Sequence, residues 1–194
     1  MAVQHSAIPD AQLHEPKGVV SASTGQAYIA DGLGSGDWVK VQKAQGACLK
    51  ASSTGATTGI TTAYQAINNA TLGGTIAWAT NNNEGFTINT TSGYIQVAEA
   101  GMYNVTYTAS FIPATNGSSF QFTFGIDSGG GIVSKETYVA CRIDTSGSTD
   151  SVIATFSCLP TVAANDKLYV MVKETTAGEE LTLLYSNFVV VRVS

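Results

Sequence analysis

Residues 102–111 alternate without a miss. Tyr103, Val105, Tyr107, Ala109 and Phe111 fall on one side; Met102, Asn104, Thr106, Thr108 and Ser110 fall on the other. A strand points successive side chains to opposite faces, so this run predicts a half-buried β-strand with one oily and one hydroxyl-rich face. Most of the chain after residue 60 reads the same way. Candidate strands are 61–67, 75–79, 86–89, 94–98, 102–112, 119–126, 137–143, 151–159, 167–174 and 181–193. Turn residues fill the gaps: Gly73-Gly74, Asn81-Asn82-Asn83, Asn116-Gly117, Gly129-Gly130-Gly131 and Asn165-Asp166. Short strands at regular intervals with Gly and Asn turns predict an all-β sandwich or jelly roll. No segment shows capped helical periodicity.

Two stretches depart from plain alternation. Phe120, Phe122, Phe124 and Ile126 share one strand face and predict a large part of the core. Residues 188–191 are apolar without a break, so both faces of the last strand carry oil. In a two-sheet sandwich one face meets the core and the other needs a second partner, for which a neighbouring subunit is the natural candidate. The front of the chain behaves differently. Val39 and Val41 could form one short strand, but 48–59 is mostly Ser, Thr, Ala and Gly and reads as a flexible or extended connector. The expected organisation is therefore an extended arm and linker over 1–58, unable to bury much by itself, and a sandwich domain over 59–194.

Composition sharpens this picture. The 194 residues are 44% hydrophobic but only 12% charged, about half the usual charged share. So little charge predicts a surface partly covered by other subunits. The net charge is −5 and the nine Lys and Arg are scattered, so no basic stripe is available for nucleic acid. The longest apolar run is too short to span a bilayer, and the opening residues carry no secretory pattern. Folding in a reducing cytoplasm without membrane insertion is the expectation.

The candidate chemistry is thin. Cys48, Cys141 and Cys158 form an odd set without metal spacing and read as buried thiols; a Cys141–Cys158 disulfide stays open. The Gly-rich stretch from Asp31 through Gly32, Gly34 and Gly36 lacks the following helix and Lys of a phosphate-binding loop, so a turn is expected. Trp38 just after it is a candidate anchor in a partner's pocket, the alternative being packing on its own domain. His5 and His14 sit far from any nucleophile constellation. Asp127, Asp144, Asp150 and Glu179-Glu180 lie in loops without a spaced Asp-x-Asp run. Four Asn-x-Ser/Thr sequons, at Asn69, Asn89, Asn104 and Asn116, are what a Ser- and Thr-rich chain supplies by chance. No cofactor, metal or catalytic residue is expected.

The segment Gly93-Tyr94-Ile95-Gln96-Val97-Ala98-Glu99-Ala100-Gly101-Met102-Tyr103-Asn104-Val105-Thr106-Tyr107 resembles the strand–turn–"Gly-x-Tyr" signature of the C1q and tumour-necrosis-factor jelly-roll superfamily. Asn165-Asp166 before Lys167-Leu168-Tyr169-Val170 resembles its "Gly-Asp-x-Val" turn, and Tyr185-Ser186-Asn187-Phe188-Val189-Val190 its closing "Phe-Ser-Gly-Phe" strand. Asn165 and Asn187 replace glycines, and both can adopt positive φ. The resemblance spans about 60–194 and implies a C1q/TNF-like jelly roll that assembles as a homotrimer. It places Tyr103, Tyr107, Phe120, Phe122, Phe124, Tyr185, Phe188 and Val190 in the core or trimer contact. The front of the chain, with His14, Pro16, Lys17 and Gly18 and then Tyr28, Asp31, Gly32, Gly34, Gly36 and Trp38, resembles openings of tailed-bacteriophage virion proteins, where such an arm seats a β-rich domain on the particle.

The expectation that joins these readings is a trimeric capsid decoration or head-fibre protein. It would be assembled in the host cytoplasm and bound to the major capsid protein or another virion protein by its arm. The alternative is a tail-associated receptor-binding adhesin that takes a host surface glycan through loops 112–119 and 127–135. An enzyme ranks last.

Overall fold

Every regular element among the described residues is a strand. The computed structural model describes residues 22–23, 26–30, 36–40, 46–53, 56–68, 76–137, 139–145, 151–175 and 179–193. In chain order the strands are β1 (Gln26–Ala30), β2 (Gly36–Lys40), β3 (Gly46–Ser53), β4 (Ala56–Ile60), β5 (Gln65–Ala66), β6 (Ile76–Glu84), β7 (Phe86–Asn89) and β8 (Tyr94–Val97). Then come β9 (Gly101–Pro113), β10 (Ser119–Asp127), β11 (Ile132–Ser134), β12 (Cys141–Asp144), β13 (Val152–Cys158), β14 (Thr161–Val162), β15 (Lys167–Glu174) and β16 (Glu179–Arg192).

The chain divides into two units, Met1–Lys43 and Ala44–Ser194. In the first, β1 and β2 form an antiparallel ribbon with Tyr28 opposite Trp38 and Ala27 opposite Val39. A Cβ on Gly36 would run into the Ile29 carbonyl and the Ala30 backbone, so the strands can close there only on glycine.

The second unit is a sandwich of two seven-stranded sheets. The first sheet runs β13-β9-β16-β3-β6, with β14 beside β9 and β4 beside β16. The second runs β11-β10-β15-β8-β7, with β12 beside β10 and β5 beside β15. On β9 the alternation read from the sequence is realised: Tyr103, Val105, Tyr107, Ala109 and Phe111 are buried against the second sheet. Tyr107 packs on Phe156, Phe122 and Phe188 with ring centroids 5.4, 6.1 and 6.5 Å away, and Phe111 on Phe122 and Phe120 at 5.1 and 5.6 Å. Each such side chain contributes roughly 1.5–3 kcal/mol by leaving water. This aromatic stack ties the sheets together and fixes which side of every strand faces out.

Several expectations change. The expected connector 48–59 is strand for most of its length, because β3 and β4 pair through their backbones with β16. Ladder hydrogen bonds need no apolar alternation. The division expected at 58/59 thus falls inside the first sheet. Asn81, Asn82 and Asn83, read as a turn, extend β6 along β3, with a register shift between Cys48 and Leu49. The strand expected over 137–143 is reduced to β12, and the separate β11 covers 132–134. Asn165 does take positive φ, 69°, and turns the chain into β15. Asn187 lies within β16, opposite Lys50 and Thr108, and makes no turn. Cys141 and Cys158 are free thiols packed against the core. Burial pushes the Cys158 thiol up to about 11.

Candidate functional site

With the core filled from within, the surfaces left for function are the outer faces of the two sheets and the β1–β2 ribbon. The outer face of the first sheet is built by the even-numbered side of the alternation on β9. Met102, Asn104, Thr106, Thr108, Ser110 and Ile112 point out of β9, flanked by Ile153, Thr155 and Ser157 of β13 and by Asn187, Val189 and Val191 of β16. No Asp, Glu, Lys or Arg occurs in β13, in 102–112 or in 181–191. The hydroxyls satisfy one another across the strands: Thr106 with Ser157 and Thr108 with Thr155, both at 3.2 Å, while Ser157 donates to Asn104 at 3.1 Å. Exposed apolar residues border this belt. Ile153 and Tyr185 (64% and 45% exposed) lie either side of Ser110, and Met102, Val191 and Val193 are exposed near its other end.

Tyr185 stands out here because of a bulge. The register of β16 on β9 slips between Leu183 and Tyr185, so both Leu184 and Tyr185 point outward before Ser186 returns inward. The remaining residues expected in core or trimer contact, Tyr103, Tyr107, Phe120, Phe122, Phe124, Phe188 and Val190, are buried between the sheets of a single chain. The unbroken apolar run divides as its pattern requires: Phe188 and Val190 point in, Val189 and Val191 out.

The outer face of the second sheet has a different chemistry. Register places Tyr94 opposite Tyr169 and Ala66 opposite Met171, and these residues with Tyr64 form a small apolar cluster outside the sandwich core. The Tyr94 and Tyr169 rings are 5.4 Å apart. Lys173 Nζ lies 4.3 Å from the centre of the Tyr64 ring and Lys167 Nζ 5.5 Å from that of Tyr94. The Lys167 ammonium is 3.6 Å from Asp127 and the Lys173 ammonium 3.1 Å from Glu136. Asp127 also accepts the Gly129 and Gly131 amides at 2.8 and 3.2 Å. The Gly129 amide above all, with the Gly131 amide and Lys167, holds its carboxyl below the usual range. Burial, and then the neighbouring Glu136 carboxylate, pushes the Tyr64 hydroxyl up to about 12. Tyr64, Tyr94 and Tyr169 are far apart in the sequence, and only the strand register reveals that they share a face. Their sole signal in the chain is the alternation around each.

At one end of the sandwich Glu174 continues the inward row Leu168, Val170, Val172 of β15 and is 1% exposed. Its Oε2 accepts the Glu179 amide at 3.0 Å while its Oε1 has no hydrogen-bond partner. Burial, with the Glu179 charge adding to it, raises this carboxyl. At the other end Arg192 pairs with Glu99 and donates to the Ala100 carbonyl, fastening the last strand to the turn before β9. Among the described residues no group of three or more His, Cys, Asp or Glu could hold a metal ion.

In the ribbon, Tyr28 and Trp38 meet edge to face at 5.5 Å, and Gln26 Nε2 donates to the Trp38 carbonyl at 3.1 Å. Ile29 and Val39 are exposed on its other side. The candidate arm residues His14, Pro16, Lys17, Gly18, Asp31, Gly32 and Gly34 lie outside the described residues.

No family model matches the chain, and no curated protein matches it in sequence. Solved structures do match. Eiger TNF from S. frugiperda superposes with a TM-score of 0.55 at 14% identity, over 79% of this chain and 94% of that one. The globular domain of zebrafish complement 1qA protein gives 0.53 at 13%, over 78% and 98%. The body is a C1q/TNF-type jelly roll. Murine APRIL at pH 5.0 gives 0.50 at 10%, over 77% of this chain and 100% of its own. What such a jelly roll offers here is a rigid two-sheet body that presents two dissimilar faces.

Proposed function

We propose that the chain is a structural virion protein, a homotrimeric capsid decoration or head-fibre protein of a tailed bacteriophage. In this reading the N-terminal part attaches it to the major capsid protein or another virion protein after synthesis in the host cytoplasm. The observation that carries the assembly is the uncharged outer strip made by β13, β9 and residues 181–191 of β16. A sheet face left in water ordinarily carries Lys and Glu, which keep copies apart. Here Thr106, Thr108, Thr155 and Ser157 are already hydrogen-bonded within the chain, so a second copy can cover them without leaving those hydroxyls unpaired. Contact also removes Ile153, Tyr185 and Val191 from water. The resemblance to trimeric jelly rolls favours closure at three.

The ribbon supports the attachment. A two-stranded hairpin is marginal in water by itself, and this one carries Tyr28 and Trp38 on one side and exposed Ile29 and Val39, beside Asp37, on the other. That is the build of an element that lies on another protein with an aromatic anchor. Three such arms on one base multiply weak contacts. The test is sedimentation of the full chain together with particle occupancy of Trp38→Ala. A three-copy species and lowered occupancy without loss of the trimer are expected. A single-copy species, or unchanged occupancy, overturns the corresponding half.

The tail-associated adhesin is a second reading, and one observation favours it. The tyrosine- and lysine-bearing outer face of the second sheet stays outward when the first sheet's face is covered.

A further inference from the structure

We propose that the outer face of the second sheet binds an extended oligosaccharide that carries carboxylates. This deepens the adhesin reading and rests on it only for where the glycan comes from. Sugars present apolar C–H faces and polar hydroxyl edges, so a surface that recognises them sets aromatic rings beside amides. Both are on this face. Tyr64 and Tyr94 are the half-buried rings of this strip, one beside each end of β15; Tyr169, Ala66 and Met171 between them are buried and hold them in place. Gln96 stands opposite Lys167 and Gln121 opposite Lys173. Tyr64 donates to Gln121 Oε1 at 3.3 Å, and Asn89 Nδ2 donates to the Tyr94 hydroxyl at 3.4 Å. These rings and amides therefore sit at fixed places on a rigid sheet.

The charges decide the class of glycan. The chain is net −5, yet Lys167 and Lys173 flank this strip, about 20 Å apart along β15 at the usual rise per strand residue. Each ammonium lies above a tyrosine ring, which keeps it low on the face. Their carboxylate partners do not bar a ligand. Asp127 is already held by two backbone amides, and the Lys173–Glu136 pair is partly exposed; exposed pairs are worth about 1 kcal/mol or less. A carboxylate on the ligand can take over either lysine. The spacing of two cations with rings between them matches a linear oligomer with charges along its length better than a compact monosaccharide. The hydroxyl-rich strip of β13, 102–112 and 181–191 on the first sheet carries no cation.

The experiment titrates the full chain at low salt with tetragalacturonate, using maltotetraose as the neutral control, and sediments the same samples. Saturable binding of tetragalacturonate, weakened by added salt, is expected. Tyr94→Ala should weaken it at least tenfold, and Lys167→Met should erase the preference over maltotetraose without changing the fold. Absence of saturable binding, equal binding of maltotetraose by the wild type, or an affinity that neither substitution alters each overturns the proposal. Sedimentation keeps the two ideas apart: a trimer that binds no uronate counts against the face, not against the assembly.

Discussion

On β9 the outward positions read Met102, Asn104, Thr106, Thr108, Ser110 and Ile112; on β15 they read Lys167, Tyr169, Met171 and Lys173. Both strands lie well inside their sheets and both turn an apolar row to the same core, so burial on the inner side does not explain the difference. On one outer face the strip formed by β13, 102–112 and 181–191 carries no charge, and Thr106, Thr108, Thr155 and Ser157 bond one another across its strands. The other displays cations over aromatic rings, with carboxylates at its rim. Side chains that meet only water are free to be charged. In the proposed assembly the uncharged strip is the one a second copy covers, and Lys167 and Lys173 keep their partial exposure.

The largest effect should come from placing a charge on the uncharged face. Thr108→Lys should replace the three-copy species by a single-copy one in sedimentation at equal concentration, because the ammoniums would be buried without partners. Thr87→Lys, on the exposed second face opposite Gln96, should sediment as wild type. Equal behaviour of the two variants would erase the distinction between the faces. Next comes the filling of the second face. A Cβ on Gly125 would collide with the Met171 thioether and Ile132, so Gly125→Val should cost about 1–3 kcal/mol in urea unfolding.

The second sheet holds charge on its inner side too, at Glu174. Its carboxyl is raised by burial first and by Glu179 next. A raised carboxyl contributes its stability below the unfolded carboxyl range and loses it as pH rises through the raised value. Glu174→Gln should therefore raise Tm at pH 7–8, by about 2–4 °C if the buried charge costs about 1 kcal/mol. The gap should close as pH falls toward about 4. A smaller change is expected from Lys173→Met, which removes a partly exposed ion pair and should shift stability by about 1 kcal/mol or less, less still at high salt.

How far the sequence foretold these faces depended on the physics of each element. The inner row of β9 and the doubly apolar end of β16 were legible, because burial on one side imposes a period of two. The strands over 46–60 were not, since small polar residues pair through backbone amides and leave no pattern. Asn81, Asn82 and Asn83 carry turn chemistry but lie along β3, where ladder hydrogen bonds outweigh local preference. The tyrosine face was invisible for another reason. Tyr64, Tyr94 and Tyr169 belong to three strands whose neighbourhood is set by topology, and no local pattern encodes which strands become neighbours. Tyr185 was placed in the core or trimer contact by its resemblance to a closing-strand motif; the bulge one residue before it sets its outward direction.

That bulge changes how the last strand can vary. Leu183 lies opposite Phe111 and Tyr185 opposite Ser110, which leaves Leu184 without a counterpart on β9. Removing Leu184 would restore an even ladder and keep Leu183, Ser186, Phe188 and Val190 directed inward. Removing any single residue from 186–190 would instead turn part of the row over and put valines where phenylalanine belongs. Against β9 the strand should therefore tolerate the loss of Leu184 better than the loss of any residue from 186–190.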